Sequence, residues 1–174
     1  YEKKYSTSMI EEIGQDDYNK IIQTCLGYQL LISIQHSLPY TGTFFQYRDS
    51  MLNWCPIGRS ADDVARKQWC DEDAESNIRD IFIERMQSFF KEKKMPVTNA
   101  LGGSTSFDMF PGGLDKTFVI NHLDEYKIQF VGDKCKGSGN DKALYDFLQP
   151  NHSYETHEPG STIRLINTFI EELK

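Results

Sequence analysis

The chain has 174 residues, 39% hydrophobic, 26% charged and 13% aromatic, with a formal net charge of -7. That composition suits an ordinary folded protein with one sizeable core or two small lobes, and no run approaches the roughly 18 apolar residues of a membrane span. The acidic balance argues against binding a nucleic-acid backbone, which calls for a basic face, and Cys25, Cys55, Cys70 and Cys135 lack C-x-x-C spacing.

Residues 1–15 show no strong period and allow a short strand around Tyr5 or a leader into the first helix. Asp16 or Asp17 is a plausible N-cap, after which Tyr18, Ile21, Ile22, Cys25 and Leu26 recur at helical spacing up to Ile34, ending before Leu38-Pro39. Residues 43–57 alternate and are broken at Asp49-Ser50, which predicts a β-hairpin with Arg48 and Tyr47 on opposite faces and Arg59 on its exit loop. Residues 61–69 read as a short helical turn. Asp71, Glu72, Asp73 and Glu75 are expected to open the next helix, whose apolar positions are Ile78, Ile81, Phe82, Met86, Phe89 and Phe90 and whose basic end is Lys91, Lys93 and Lys94. A second hairpin, 97–101 and 104–110, turns at Gly102-Gly103, and Pro111-Gly112-Gly113 marks the domain boundary.

Beyond it, helix 116–123, a strand 127–131, helix 141–147 and an amphipathic helix 162–173 with Ile163, Ile166, Ile170 and Leu173 inward alternate as in a doubly wound parallel sheet. The expected architecture is an α+β lobe, an antiparallel sheet with two helices, over 1–111, followed by part of a Rossmann-like α/β domain over 112–174. Asp133 ends a strand where such sheets bind ligands, and a carboxylate there suits Mg²⁺. The histidines, 36, 122, 152 and 157, show no metal-ligand spacing and read as structural.

Three stretches carry a resemblance. Residues 42–59, G-T-F-F-Q-Y-R-D-S-M-L-N-W-C-P-I-G-R, resemble the eukaryotic phosphomannomutase segment G-T-F-x-E-F-R-N-G-M-x-N-x-S-P-I-G-R, departing at Gln46, Tyr47, Asp49, Ser50 and Cys55. Residues 102–116 resemble that family's G-G-Q-I-S-F-D-V-F-P-x-G-W-D-K, departing at Ser104, Thr105 and Leu114. Gly132-Asp133 through Gly139-Asn140-Asp141 resembles the fourth motif of the haloacid dehalogenase (HAD) superfamily.

The resemblance implies a sugar-recognising cap domain (1–111) and the C-terminal part of a HAD core (112–174) of an isomerase that interconverts mannose 6-phosphate and mannose 1-phosphate for GDP-mannose synthesis. It implies Arg48, Arg59, Arg66, Ser106 and Asp108 as substrate contacts, Lys116 as a supporting catalytic cation, and Asp133 as a Mg²⁺ ligand. A second cation site would fall at Tyr145, where Tyr-Asp-Phe-Leu stands in place of F-x-D-P. Partners are then hexose phosphates, hexose 1,6-bisphosphate and a second copy of the chain in a cap-mediated homodimer. Phe44 and Phe45 fit the last, because they place apolar groups on both faces of one hairpin. Location is expected to be cytoplasmic, since the first residues lack an apolar signal segment.

The superfamily's nucleophile motif, D-x-D-x-T/V, has no counterpart in residues 1–174, so this polypeptide is expected to begin at the cap and to be inactive as a mutase alone. The alternatives are a HAD-type sugar-phosphate phosphatase with a similar cap, or a non-catalytic protein that binds sugar phosphates or dimerises.

Overall fold

The computed structural model describes residues 6–123, 128–137, 139–148, 150 and 152–172. Two compact units are present, Tyr1–Leu114 and Asp115–Lys174. The strand considered near Tyr5 lies outside the described residues.

In the first unit, helix α1 (Met9–Ile13) is started by a capping box: Ser8 accepts from the Glu11 amide, and the Glu11 carboxylate accepts from the Ser8 amide. This short helix was not legible as such. The Met9 amide donates to the Asp49 carbonyl at 2.7 Å and ties α1 to the hairpin turn. Helix α2 (Gln15–Gln35) begins at Gly14, not at an aspartate. Asp16 and Asp17 occupy its first turn instead, where they complement the helix dipole. Ile21, Cys25 and Ile32 are buried, whereas Leu26, expected inward, is 50% exposed.

Strands β1 (Phe45–Tyr47) and β2 (Leu52–Trp54) form the expected hairpin, with Asp49 at φ 52° and the Arg48 amide donating to the Met51 carbonyl at 2.8 Å. The stretch read as a short helical turn is a longer helix, α3 (Asp63–Ser76), which continues through the acidic run and stops at Asn77 in the left-handed region. That run belongs to the end of α3, against the dipole, because cations compensate it. Lys67 pairs with Asp71 and Arg79 with Asp73, and the His36 ring hydrogen-bonds Glu72. Helix α4 (Ile78–Lys93) buries Ile78, Phe82, Met86 and Phe90 at helical spacing and leaves Ile81 43% exposed.

Strands β3 (Val97–Gly102) and β4 (Ser106–Pro111) complete a four-stranded antiparallel sheet in the order β1-β2-β4-β3. Leu52, Trp54, Phe107 and Met109 point to one face and are fully buried. Their centre is a ring cluster, with Trp54, Phe82 and Phe107 centroids 4.3 to 5.0 Å apart. Alternation sends Gln46, Asn53, Ser106 and Asp108 to the opposite face, and the pairing Gln46↔Asn53↔Asp108 places three of them in one row.

In the second unit, a 3₁₀ helix (Lys116–His122) is capped by Asp115. Strand β5 (Phe130–Gly132) pairs in parallel with β6 (Ser153–Glu155), and helix α5 (Lys142–Leu148) lies between them in sequence. Lys127 lies outside the described residues, and β6 was not anticipated. Helix α6 starts earlier than expected, at Pro159 (Pro159–Glu172), where proline's fixed φ suits a first turn. Its isoleucines are not inward: Ile163, Ile166 and Ile170 are 59%, 44% and 48% exposed. A two-stranded sheet is too narrow to cover that stripe, and α6 meets it through Phe169 on Tyr154, with ring centroids 5.1 Å apart. Leu173 lies outside the described residues. Among the described residues no helix is long and apolar enough to cross a membrane. The whole is an α/β fold with one small antiparallel and one parallel sheet.

Candidate functional site

In the first unit the site begins with two glycines. Gly58 has φ +87°, and a Cβ built on it would lie 2.2 Å from the Gly42 carbonyl oxygen. Such an approach requires glycine. Around it, the Thr41 amide donates to the Ile57 carbonyl at 3.0 Å and the Arg59 amide to the Thr43 carbonyl at 3.2 Å, so the hairpin is zipped beyond its strands.

Arg59 therefore leaves the sheet from a fixed backbone, and its NH1 donates to Asn53 Oδ1 at 2.6 Å. Asn53 is 2% exposed and donates through Nδ2 to Asp108 Oδ1 at 2.7 Å and to Ser106 Oγ at 3.0 Å. The Ser106 hydroxyl donates onward to the Gly102 carbonyl. Arg66, in the first half of α3, donates through Nε to the Ala61 carbonyl at 3.1 Å and contacts Thr105 Oγ1 at 3.5 Å. Arg59, Ser106 and Asp108 are thus linked through Asn53, while Arg66 reaches Thr105, the residue before Ser106.

Arg48 is exposed at the hairpin turn, and its Nε and NH2 donate to Gln46 Oε1 at 3.1 and 2.8 Å. That bond draws it toward the face Gln46 shares with Asn53. Among the described residues no carboxylate pairs with Arg48, Arg59 or Arg66. Gln46 stands where the segment it resembles has glutamate, so the cationic charge of Arg48 is left uncompensated. Guanidiniums beside a carboxylate and a hydroxyl are suited to an oxyanion attached to a polyol. Asn53 was not singled out from sequence. Its signal was an amide alternating with Leu52 and Trp54 in an otherwise buried strand.

In the second unit, Asp141, to which the sequence reading gave no role of its own, is held by three partners. It is 4% exposed; Lys116 bonds its Oδ1, while Oδ2 accepts from the amides of Asp133 and Lys134 at 3.1 Å each. Burial pushes its carboxyl pKa up, but Lys116 and the two amides outweigh burial and hold it below the ordinary carboxylate range. Asp133 is exposed at the carboxyl end of β5. An open pocket of about 440 Å³ is lined by Lys116, Gly132, Asp133, Asp141, Thr156 and His157, so a histidine read as structural stands on its wall.

Among the described residues no group of three His, Cys, Asp or Glu is placed to hold a metal ion. Mg²⁺ usually takes only one or two protein carboxylates, the rest being water and phosphate. The exposed Asp133 fits that limited role, and Asp141, engaged by Lys116, fits it less well. Tyr145 is half-buried on α5, its carbonyl accepting from Ser153 Oγ at 2.8 Å.

Residues 2–172 match the family model of eukaryotic phosphomannomutase. Similar proteins include a phosphomannomutase of Saccharomyces cerevisiae, 33% identical over 165 residues, covering 92% of this chain and 62% of that protein. One from Drosophila melanogaster is 30% identical, covering 94% and 64%. Phosphomannomutase 2 of Dictyostelium discoideum is 32% identical, covering 90% and 62%. The chain spans a little over three fifths of the length of these relatives.

Proposed function

The chain belongs to the eukaryotic phosphomannomutase family, and from that premise we propose that it supplies the sugar-phosphate recognition of an isomerase interconverting mannose 6-phosphate and mannose 1-phosphate. The carrying observation is the chain Arg59–Asn53–Asp108 on the polar face of the first sheet, where cation and carboxylate are held by one buried amide. In this reading residues 1–111 are the cap and 112–174 part of the HAD core. Arg48, Arg59 and Arg66 take the phosphate that is not being transferred, and Ser106 and Asp108 read ring hydroxyls.

Lys116 and Asp141 belong to the second unit's pocket, where the ammonium is held toward the pocket by the carboxylate. Asp133 would share Mg²⁺ with a phosphate, and the ion, when bound, neutralises charge on phosphoryl oxygens. The product suits GDP-mannose synthesis in the cytoplasm.

The same reading includes a homodimer through the cap. Leu26, Leu30 and Ile34, 50%, 60% and 72% exposed, recur every four residues along α2, and Tyr40 and Phe44 share a groove with the first two. Such a stripe favours a second copy over water. Sedimentation should show a dimer that Leu30→Asp converts to monomer, and a monomeric wild type at micromolar concentration removes the dimer from the reading.

Calorimetric titration with mannose 6-phosphate, with mannose as the control, tests the recognition itself. Binding of the phosphate ester and none of mannose is expected. Equal affinity for both would refute a phosphate-binding role for the arginines.

A further inference from the structure

We infer that Asn53 is a positioning residue of this face: its carboxamide holds Arg59 and Asp108 in one geometry, so that a phosphate and a hydroxyl of the same sugar are read together. The inference rests on the hexose-phosphate reading above and assigns a residue that reading does not contain.

Asn53 uses both ends of its amide on groups of opposite charge. Its oxygen accepts from the Arg59 guanidinium at 2.6 Å, and its nitrogen donates to the Asp108 carboxylate at 2.7 Å and to Ser106 Oγ at 3.0 Å. The surroundings fix which way the amide points. Turned over, it would set a donor against a guanidinium and an acceptor against a carboxylate. Ser106 cannot replace it as donor, because its own proton goes to the Gly102 carbonyl.

The amide serves both neighbours because it carries an acceptor at one end and a donor at the other. Aspartate would keep the bond to Arg59 but oppose Asp108, and leucine would leave both unpaired. The β3 side is closed as well. A Cβ on Gly102 would stand 2.7 Å from Ser106 Oγ, 3.0 Å from Asp108 Oδ1 and 3.1 Å from Asn53 Nδ2.

The amide occupies one N–H of Arg59 and one oxygen of Asp108. What remains for a ligand is the rest of the guanidinium and Asp108 Oδ2, neither of which has a partner among the described residues. Arg59 is otherwise an exposed side chain on a loop, and fixing it before the ligand arrives lowers the ordering cost of binding.

A double-mutant cycle read by calorimetric titration with mannose 6-phosphate tests this. Unfolding followed by the fluorescence of Trp54 and Trp69 serves as the stability control. Asn53→Asp should weaken binding at least tenfold in the wild-type background and less than threefold in Asp108→Ala, where the opposed charge is gone. Asn53→Ser, a milder change, should likewise cost much less beside Asp108→Ala than alone.

A merely structural role would lower the unfolding temperature and leave the affinity of the folded protein unchanged, or changed equally in both backgrounds. Either result overturns the inference while the hexose-phosphate reading stands, as would unfolding of both Asn53 variants. Failure of the wild type to bind mannose 6-phosphate overturns that reading and this inference with it.

Discussion

Replacing Gly58 by alanine should be far more costly than replacing a glycine of similar backbone conformation elsewhere in the same unit. At φ +87° an alanine carries about 1 to 2 kcal/mol of left-handed strain. The new methyl would also fall 2.2 Å from Gly42 O, 2.6 Å from Gly42 N and 2.7 Å from Thr41 Oγ1, and two of those atoms are backbone that cannot rotate away. Relief requires spreading the strands, which gives up the Thr41–Ile57 and Arg59–Thr43 backbone bonds at about 1 kcal/mol each.

The total is about 3 to 4 kcal/mol, a large share of the roughly 5 to 15 kcal/mol that separates most folded proteins from unfolding. At about 2 to 4 °C per kcal/mol for a chain of this size, the midpoint should fall by about 6 to 16 °C. Gly113 supplies the control: φ is +83° and nothing lies within 4 Å, so Gly113→Ala should cost only the strain. Tryptophan fluorescence is the assay, because Trp54 and Trp69, the chain's two tryptophans, are fully buried in the first unit. Midpoints for the two variants within about 2 °C of each other would show that the glycine pair is not in contact.

Arg59→Ala should lower mannose 6-phosphate affinity about tenfold to a hundredfold and, by taking the partner from the buried Asn53 oxygen, also cost about 1 to 3 kcal/mol of stability, and Arg59→Lys should recover only part of the affinity, because the charge returns without the fork. Calorimetry and fluorescence unfolding separate these outcomes. Because Asp141 has a lowered pKa in the folded chain, the stability it contributes is present above the unfolded carboxyl value near pH 4 and is lost as pH falls through the folded one. Protection factors of the Asp133 and Lys134 amides should therefore stay level down to about pH 4 and fall below it, with the fall starting at higher pH in Lys116→Met. Cys25, Cys55 and Cys135 are buried, and burial pushes the Cys25 thiol well above its ordinary pKa, so a maleimide should label Cys70 first in the native protein.

Both hairpins were legible because alternation and turn chemistry act over a few residues: Asp49-Ser50 and Gly102-Gly103 announce their own turns. Helix α3 was cut short in the reading because its buried residues are only Ala65 and Trp69, and the groups that steady its acidic end, His36 and Arg79, come from neighbouring helices. The period of α6 was correctly read, but an amphipathic pattern announces a wish to be covered, not a partner that covers it. The site residues divide the same way. Arg59 sits in a stretch whose order is distinctive, whereas the role of Asn53 exists only once β2 lies beside β4, and that of Asp141 only once Lys116 reaches it across 25 positions.

The β2–β4 register has a kinetic consequence. Asn53 and Asp108 are 55 positions apart, and α3, α4 and β3 must be threaded between them before the two strands can pair. Contacts this distant in sequence form late and slow a domain's folding, whereas the hairpin bearing Arg48 can close early on its own. The polar face built on that register should therefore acquire the proposed ligand binding in the last stage of folding, not gradually. A ligand of this face would then act as a pharmacological chaperone: at a hundred times its dissociation constant it adds about 2.7 kcal/mol to the native state and nothing to partly folded ones. Destabilised variants such as Gly58→Ala are where that rescue should be largest in its effect on yield.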